Sequence, residues 1–309
     1  MVEGYESWRE FWEDNAHKSG EAIAREFNGD GGSWRKRIRA AKETYPEMNW
    51  FESPLAKPVK TQMKTLKGIL GADLHYPAYN KKLWKNFLEF VSDFDPDFLD
   101  FVGDVLDIDA ISHFDKNKPR ILEGKRLKKD YNGCQKDIVT PIESCVSENC
   151  ELIWQFGNHE VRVNKYIDEH PEGEGFYEIA NNIDFSRWTV LDYKKLHKIG
   201  NLGITHGNYT NQFHAKKMLD VFGCDIVYGH MHSFQTHTGV TASDKTPKIA
   251  WQIPCMCDLD QEYCKDTPKA WLNGFAIVYI QPDGSYNLYP IIADKNGSFI
   301  APNGVKYGD

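Results

Sequence analysis

Five apolar runs in this 309-residue chain each end in a cluster of Asp, Asn or His, and no other feature constrains its fold as tightly. The runs are LKGILGADLH, DFLDFVGDV, ELIWQFGNHE, NLGITHGN and CDIVYGHMH. Their polar ends carry Asp73 and His75, Asp104 and Asp107, Asn158, His159 and Glu160, His206, and His230 with His232. Helix-like stretches around residues 81–94 and 131–147 separate the first three runs. Apolar strands alternating with helices predict a layered α/β domain. The stretch GFAIVYIQPDGSYNLYPII, with its PDG turn, predicts a β-hairpin. Ligands of open α/β sheets gather beyond the carboxyl ends of the strands. Five such ends can therefore meet at one place.

Composition narrows the class. Apolar residues make up 41% and charged residues 27%, enough to bury a sizeable core and too ordered a mixture for wholesale disorder. No apolar run reaches the 18 residues of a membrane span, and the acidic start MVEGYESWREFWEDNA lacks the apolar stretch of a secretory leader. The 37 basic and 45 acidic side chains leave a net charge of −8, which argues against non-specific coating of nucleic acid and leaves local basic patches open. Seven cysteines, an odd count spread along a long chain, read as reduced thiols of a cytoplasmic protein. Cys255, Cys257 and Cys264 invite a zinc site. They lack a second pair at finger spacing and read as buried thiols.

Residues 1–45 predict a small helical domain. Trp8, Phe11 and Trp12 form an apolar stripe, KSGEAIAREF a second helix, NGDGG a turn, and SWRKRIRAAKE a basic helix capped by Ser33. Helix, glycine-containing turn and basic helix outline a helix-turn-helix, with Arg35, Lys36, Arg37, Arg39 and Lys42 on the last element. Residues 46–60, with three prolines, read as a linker, and residues 61–309 as the α/β domain.

Taken singly, each polar cluster is a turn, a loop or an exposed histidine pair. Taken together and in order, they supply carboxylate, carboxamide and imidazole donors suited to manganese, iron or zinc. Seven donors are too many for one tetrahedral zinc, and they suit a pair of ions sharing a carboxylate.

The order D-x-H, G-D-x-x-D, G-N-H-E, H, G-H-x-H resembles the calcineurin-like metallophosphoesterases over residues 61–309. GDVLDIDAISHF and GNHEVRVNKYI resemble the blocks of phage-type members, which often carry an N-terminal helix-turn-helix. The resemblance implies a four-layer α/β-β/α sandwich. It implies that Asp73, His75 and His232 hold one metal, that Asp104 bridges, and that Asn158, His206 and His230 hold the other. It places His159 beside the scissile phosphate as proton donor, with Asp107 buttressing it. It also implies two divalent cations, manganese first, with iron, zinc, magnesium or nickel as alternatives, and attack on phosphorus by a metal-bridging hydroxide. Arg162, just after this block, is a candidate phosphate ligand. The expected substrate is a phosphate ester, DNA first, cut by a phosphodiesterase or nuclease in the cytoplasm (the host's, if phage-encoded). A phosphatase of small nucleotides or phosphoproteins is the alternative. From another class comes a DNA-binding regulator with an inert phosphoesterase domain. The basic run of Lys116, Lys118, Arg120, Lys125, Arg126, Lys128 and Lys129 reads as a solvated loop or as a border of the cleft that attracts polyanions.

Overall fold

The apolar runs do not alternate with polar residues because both faces of their strands are covered. In the computed structural model, which describes residues 2, 4–16, 18, 20–27, 31–48, 64–113, 117–240, 245–261 and 269–309, the chain divides into two units, Met1–Met63 and Lys64–Asp309.

The first unit holds helices α1 (Trp8–Asn15), α2 (Gly20–Glu26) and α3 (Gly31–Thr44). The Ser7 hydroxyl accepts from the Glu10 amide, and the Glu10 carboxylate accepts from the Glu6 amide, a reciprocal cap that starts α1. Phe11, Trp12, Ile23, Trp34 and Ala41 form its core, with Tyr45 and Met48 packed against it. The unit's packing thus reaches past residue 45. Helix α3 begins at Gly31, so Ser33 lies inside it and is not its cap. Turn residues 28–30 and most of the expected linker (residues 49–60) lie outside the described residues.

The second unit contains β1 (Leu66–Gly71), α4 (Lys81–Phe94), β2 (Phe98–Val102), α5 (Pro119–Leu122), α6 (Leu127–Cys134), α7 (Thr140–Cys145), β3 (Glu151–Gln155), α8 (Val161–Glu169), β4 (Trp188–Leu191), β5 (His197–Ile199), β6 (Leu202–Ile204), α9 (His214–Phe222), β7 (Ile226–Tyr228), β8 (Gln235–Gly239), β9 (Lys248–Gln252), β10 (Gly274–Ile280), β11 (Tyr286–Ile292), β12 (Phe299–Ile300) and β13 (Lys306–Tyr307). One sheet has the order β11-β10-β1-β2-β3-β4, the other β5-β6-β7-β9-β8, and β12 pairs with β13. Both large sheets mix parallel and antiparallel pairs, with β10 and β11 forming the hairpin read from the sequence.

Successive residues of one strand point to opposite faces. Ile69, Leu99, Phe101, Leu152 and Trp154 join a core with α4, α6 and α7. Their neighbours Leu70, Phe98 and Val102 join Leu202, Ile204 and Val227 of the other sheet. Ala215, Met218 and Leu219 of α9 cover the outer face of that second sheet, against Ile226, Tyr228 and Ala250. Helices, sheet, sheet and helix therefore stack as four layers. Helix α4 shows the local logic. The Asn80 side chain caps it by accepting from the Lys82 and Leu83 amides, and Leu83, Trp84, Phe87, Phe90 and Val91 bury one face.

Strands β1, β2 and β3 run parallel, as do β6 and β7, so their polar ends share one edge of each sheet. Replacing the fully buried Trp154 with Ala removes the ring that Phe101, Phe185 and Trp188 pack against. The expected cost is roughly 3–5 kcal/mol, to be read from the urea midpoint of this unit.

Candidate metal centre

Two hydrogen bonds stitch the sheet edges together. His206, after β6, donates Nδ1–H to the Val102 carbonyl at the end of β2, at 2.8 Å. The His230 amide, after β7, donates to both Asp73 carboxylate oxygens beyond β1, at 3.1 and 2.8 Å. Donors from five strand ends in two sheets thereby reach one pocket.

The backbone pays a conformational cost to aim them. Asp73 (φ 55°), His75 (54°), Asp104 (51°), His230 (78°) and His232 (58°) all occupy the left-handed region. Each such non-glycine residue costs about 1–3 kcal/mol and persists only where its surroundings over-determine it. The motif glycines make room for these side chains. A Cβ at Gly157 would lie 2.1 Å from Asp104 Oδ1, and one at Gly229 would lie 2.6 Å from Asp73 Oδ2.

Asp73, His75 and His232 bring ligand atoms within 4.8 Å of one another, as do Asp104, His206 and His230. A single atom, Asp104 Oδ2, faces both groups: it lies 3.1 Å from His206 Nε2 and 3.9 Å from His75 Nε2. Asn158 Oδ1 joins the second group at 3.1 Å from His206 Nε2.

The chemistry of these contacts fits cations. The Nδ1–H of His206 is committed to Val102, so its Nε2 is the atom turned to the Asp104 and Asn158 oxygens, a donor while the ring is protonated and a ligand nitrogen once a cation displaces that proton. The Nδ1 of His75 faces the Asp107 carboxylate at 3.2 Å, and its Nε2 lies 2.9 Å from Nε2 of His232. Carboxylates and ring nitrogens converging on one point, with the far nitrogens of His206 and His75 tied to a carbonyl and a carboxylate, form the arrangement of metal-binding histidines. The field agrees. Burial opposes the charged form of His206, but the Asp104 carboxylate overrides it and lifts the imidazole to about 10. Burial is likewise overridden at His232, where Asp73 lifts the ring to about 10. Asp104 itself, although burial works against its charge, is held well below the usual carboxylate range by His206 and His159. The pocket calls for positive charge, and divalent cations meet that demand. The donor mixture of carboxylate, carboxamide and imidazole suits them.

His159 and Arg162 form a separate pair. His159 Nδ1 lies 2.8 Å from Asp107 Oδ1 and 3.0 Å from the Asp107 carbonyl. Arg162 donates Nη1–H to that same carbonyl at 2.8 Å, and its Nη2 lies 2.9 Å from His159 Nε2. Asp107 thus touches both His75 and His159.

Several contributors do not stand out from sequence. The buried Glu160 carboxylate accepts from the amides of Asp104, Leu106 and Gly157, at 3.1, 3.0 and 2.8 Å, and ties two motif loops together. Its place inside the G-N-H-E block is the signal that could have found it. Burial, and then the Asp104 charge, push its carboxyl up to about 7. Asp109 pairs with Arg162 at 3.5 Å and with Lys125. Behind His232 stand Cys257, with Sγ 3.8 Å from Nδ1, and the Trp271 ring at 4.3 Å. Cys255 and Cys257 are buried together with His232, whereas Cys264 lies outside the described residues.

Glu160→Gln keeps the size and removes acceptor capacity from three amides. Manganese affinity measured by isothermal calorimetry is expected to fall roughly 10–100-fold. Gly157→Ala, which drives a methyl against Asp104, is expected to weaken binding in the same assay.

No model of a known protein family matches the chain. It is 22% identical to the gene 54 protein of Mycobacterium phage L5 over 245 residues, 74% of this chain and 94% of the relative. The gene 54 protein of Mycobacterium phage D29 is likewise 22% identical, over 247 residues. Among solved structures, Vps29 of Cryptosporidium parvum aligns with a TM-score of 0.39 at 15% identity, covering 73% of this chain and 96% of that one. Wild-type Vps29 of Entamoeba histolytica complexed with zinc aligns with a TM-score of 0.36 at 11% identity, covering 74% and 99%.

Proposed function

We propose that the chain is a dinuclear metal-dependent phosphoesterase that hydrolyses phosphodiesters, with nucleic acid as the substrate class. The observation that carries this reading is Asp104 Oδ2, one carboxylate oxygen facing two groups of buried carboxylate and imidazole ligand atoms. Asp73, His75 and His232 would hold one cation and Asn158, His206 and His230 the other, with Asp104 within reach of both. Manganese leads, with iron, zinc, magnesium or nickel as alternatives that this donor set also admits. When bound, the pair lowers the pKa of water and neutralises phosphoryl oxygens.

The remaining steps belong to the protein. Asp107 holds the Nδ1 side of His159, which directs Nε2 into the pocket, 3.8 Å from Asp104 Oδ2. Arg162 covers that Nε2 until substrate arrives. In the proposed reaction the guanidinium turns to a phosphoryl oxygen. Nε2, freed of the guanidinium, then takes up a proton from solvent and passes it to the leaving alkoxide, the ring returning to its neutral form. This order adds to the expectation of His159 as proton donor a place for Arg162, whose guanidinium lies against the same ring nitrogen.

The exposed Lys36, Arg39 and Lys42 of α3 support contact between the helical unit and DNA, and Arg37 is less suited because it lies over the Trp8 and Trp34 rings. Among the described residues, no helix is long and apolar enough to cross a membrane.

Purified protein with manganese is expected to hydrolyse bis-p-nitrophenyl phosphate and to lose the activity with chelator. Inertness with every divalent metal would sink the reading. Asp104→Asn is expected to lose metal together with turnover. His159→Gln is expected to keep metal and lose turnover on poor leaving groups by roughly 10²–10⁴-fold, and full activity there would remove the proton donor. Joint replacement of Lys36, Arg39 and Lys42 by Glu is expected to weaken duplex retention in a gel shift while leaving hydrolysis of the small diester intact.

A further inference from the structure

The basic run read from sequence is built onto the metal centre. Lys125 pairs with Asp109, Asp109 with Arg162 at 3.5 Å, and Arg162 with His159 at 2.9 Å. A continuous polar chain thus leads from the pocket to the start of α6. Leu127, Tyr131 and Cys134 on the inner face of α6 are buried in the main core, so its outer face is carried on a firm base. That face and the neighbouring α5 expose Lys118, Arg120, Arg126, Lys128 and Lys129, with Glu123 the one acid between residues 118 and 129. On a chain of net charge −8 this patch is a local reversal of sign.

A second feature lies on the same edge. Lys128 donates to Asn182 Oδ1 at 2.9 Å, and Asn182 donates to the Phe176 carbonyl at 2.8 Å. The adjoining Tyr177 carbonyl accepts from Tyr131 of α6 at 2.8 Å. The Phe176 ring is 75% exposed. An aromatic ring open to solvent therefore stands close to Lys128 and the cations that flank it, where it can stack on a planar ligand.

We propose that this edge is the binding track for a single-stranded nucleic acid, which it delivers to the metal centre. The cations of α5 and α6 meet successive phosphates, and Phe176 stacks an unpaired base. This combination, a positive surface that follows the backbone and an aromatic face that accepts any base, is how single strands are held without sequence preference. A duplex offers no free base face to Phe176, and an acidic polypeptide offers charge without a ring to stack. The proposal rests on the phosphodiesterase reading of the metal centre and adds the polymer to it.

The test is equilibrium binding of fluorescein-labelled oligothymidylate to the full chain by anisotropy across a salt series, alongside turnover of bis-p-nitrophenyl phosphate. Joint replacement of Lys118, Arg120, Lys128 and Lys129 by Glu is expected to lower affinity at least tenfold. It should also flatten the salt dependence, by about 0.7 in slope for each phosphate no longer neutralised. Phe176→Ala, a single surface change that keeps every charge, is expected to lower affinity about 5- to 100-fold with the salt slope unchanged. In both variants the ratio of oligonucleotide to small-diester kcat/KM falls. Wild-type affinity in both variants overturns the proposal, as does a salt slope abolished by the α3 replacements alone. Equal competition by polyglutamate, with no effect of Phe176→Ala, overturns it in favour of an acidic protein partner. A wild-type chain inert toward the small diester sinks the reading of the metal centre, while the anisotropy still decides whether this edge binds the strand.

Discussion

Asp104 is a fully buried carboxylate whose Oδ2 faces His206, His159 and His75, and much of the surrounding structure serves to hold it there with its charge. An isolated ion in such a place would be too costly to keep, and it would take up a proton instead. Imidazoles on several sides stop that, and the His159 amide adds a bond to Oδ1 at 2.8 Å. The left-handed backbone of Asp104, the Glu160 clamp on its amide and the bare α-carbon of Gly157 all follow from the need to put one oxygen at one point.

The fold was legible where burial on two faces leaves a mark on composition. β1, β2 and β3 read as mostly apolar runs without alternation because Ile69 and Leu70, or Leu99 and Phe98, each meet a core on their own side. The polar ends were legible for the opposite reason, since Asp and His seldom close an apolar strand without a partner. That these ends belong to two sheets was not readable from the runs themselves. The division depends on β6 and β7 pairing with each other and not with β3, and that is decided by packing over long sequence distances. Only the family resemblance pointed to a sandwich.

Within the candidate centre, identity was easier to read than contact. Asp73, His75, Asp104, Asn158, His206, His230 and His232 lie together as their spacing suggested, whereas their coordinating roles are a proposal. The pairing of Arg162 with His159 was hidden, because it is made by the turn of residues 158–160 that leads His159 into α8, a geometry the composition does not announce. Glu160 was hidden in a different sense. A carboxylate at a motif's end looks like a ligand or a helix start, and its actual bonds go to three backbone amides. Ser33 misled for a local reason: the two glycines before it fold into the first turn of α3.

The bond from His206 to the Val102 carbonyl joins a donor of one sheet to the backbone of the other. Its counterpart, from the His230 amide to Asp73, does the same at the neighbouring strand pair. A cation taken up by either donor group would therefore act as a rivet through two leaves of the sandwich. Sliding one leaf over the other disperses both sets of ligands at once. Occupancy and resistance to shear would then be linked, and removal of such ions would loosen the molecule first along the seam between its sheets.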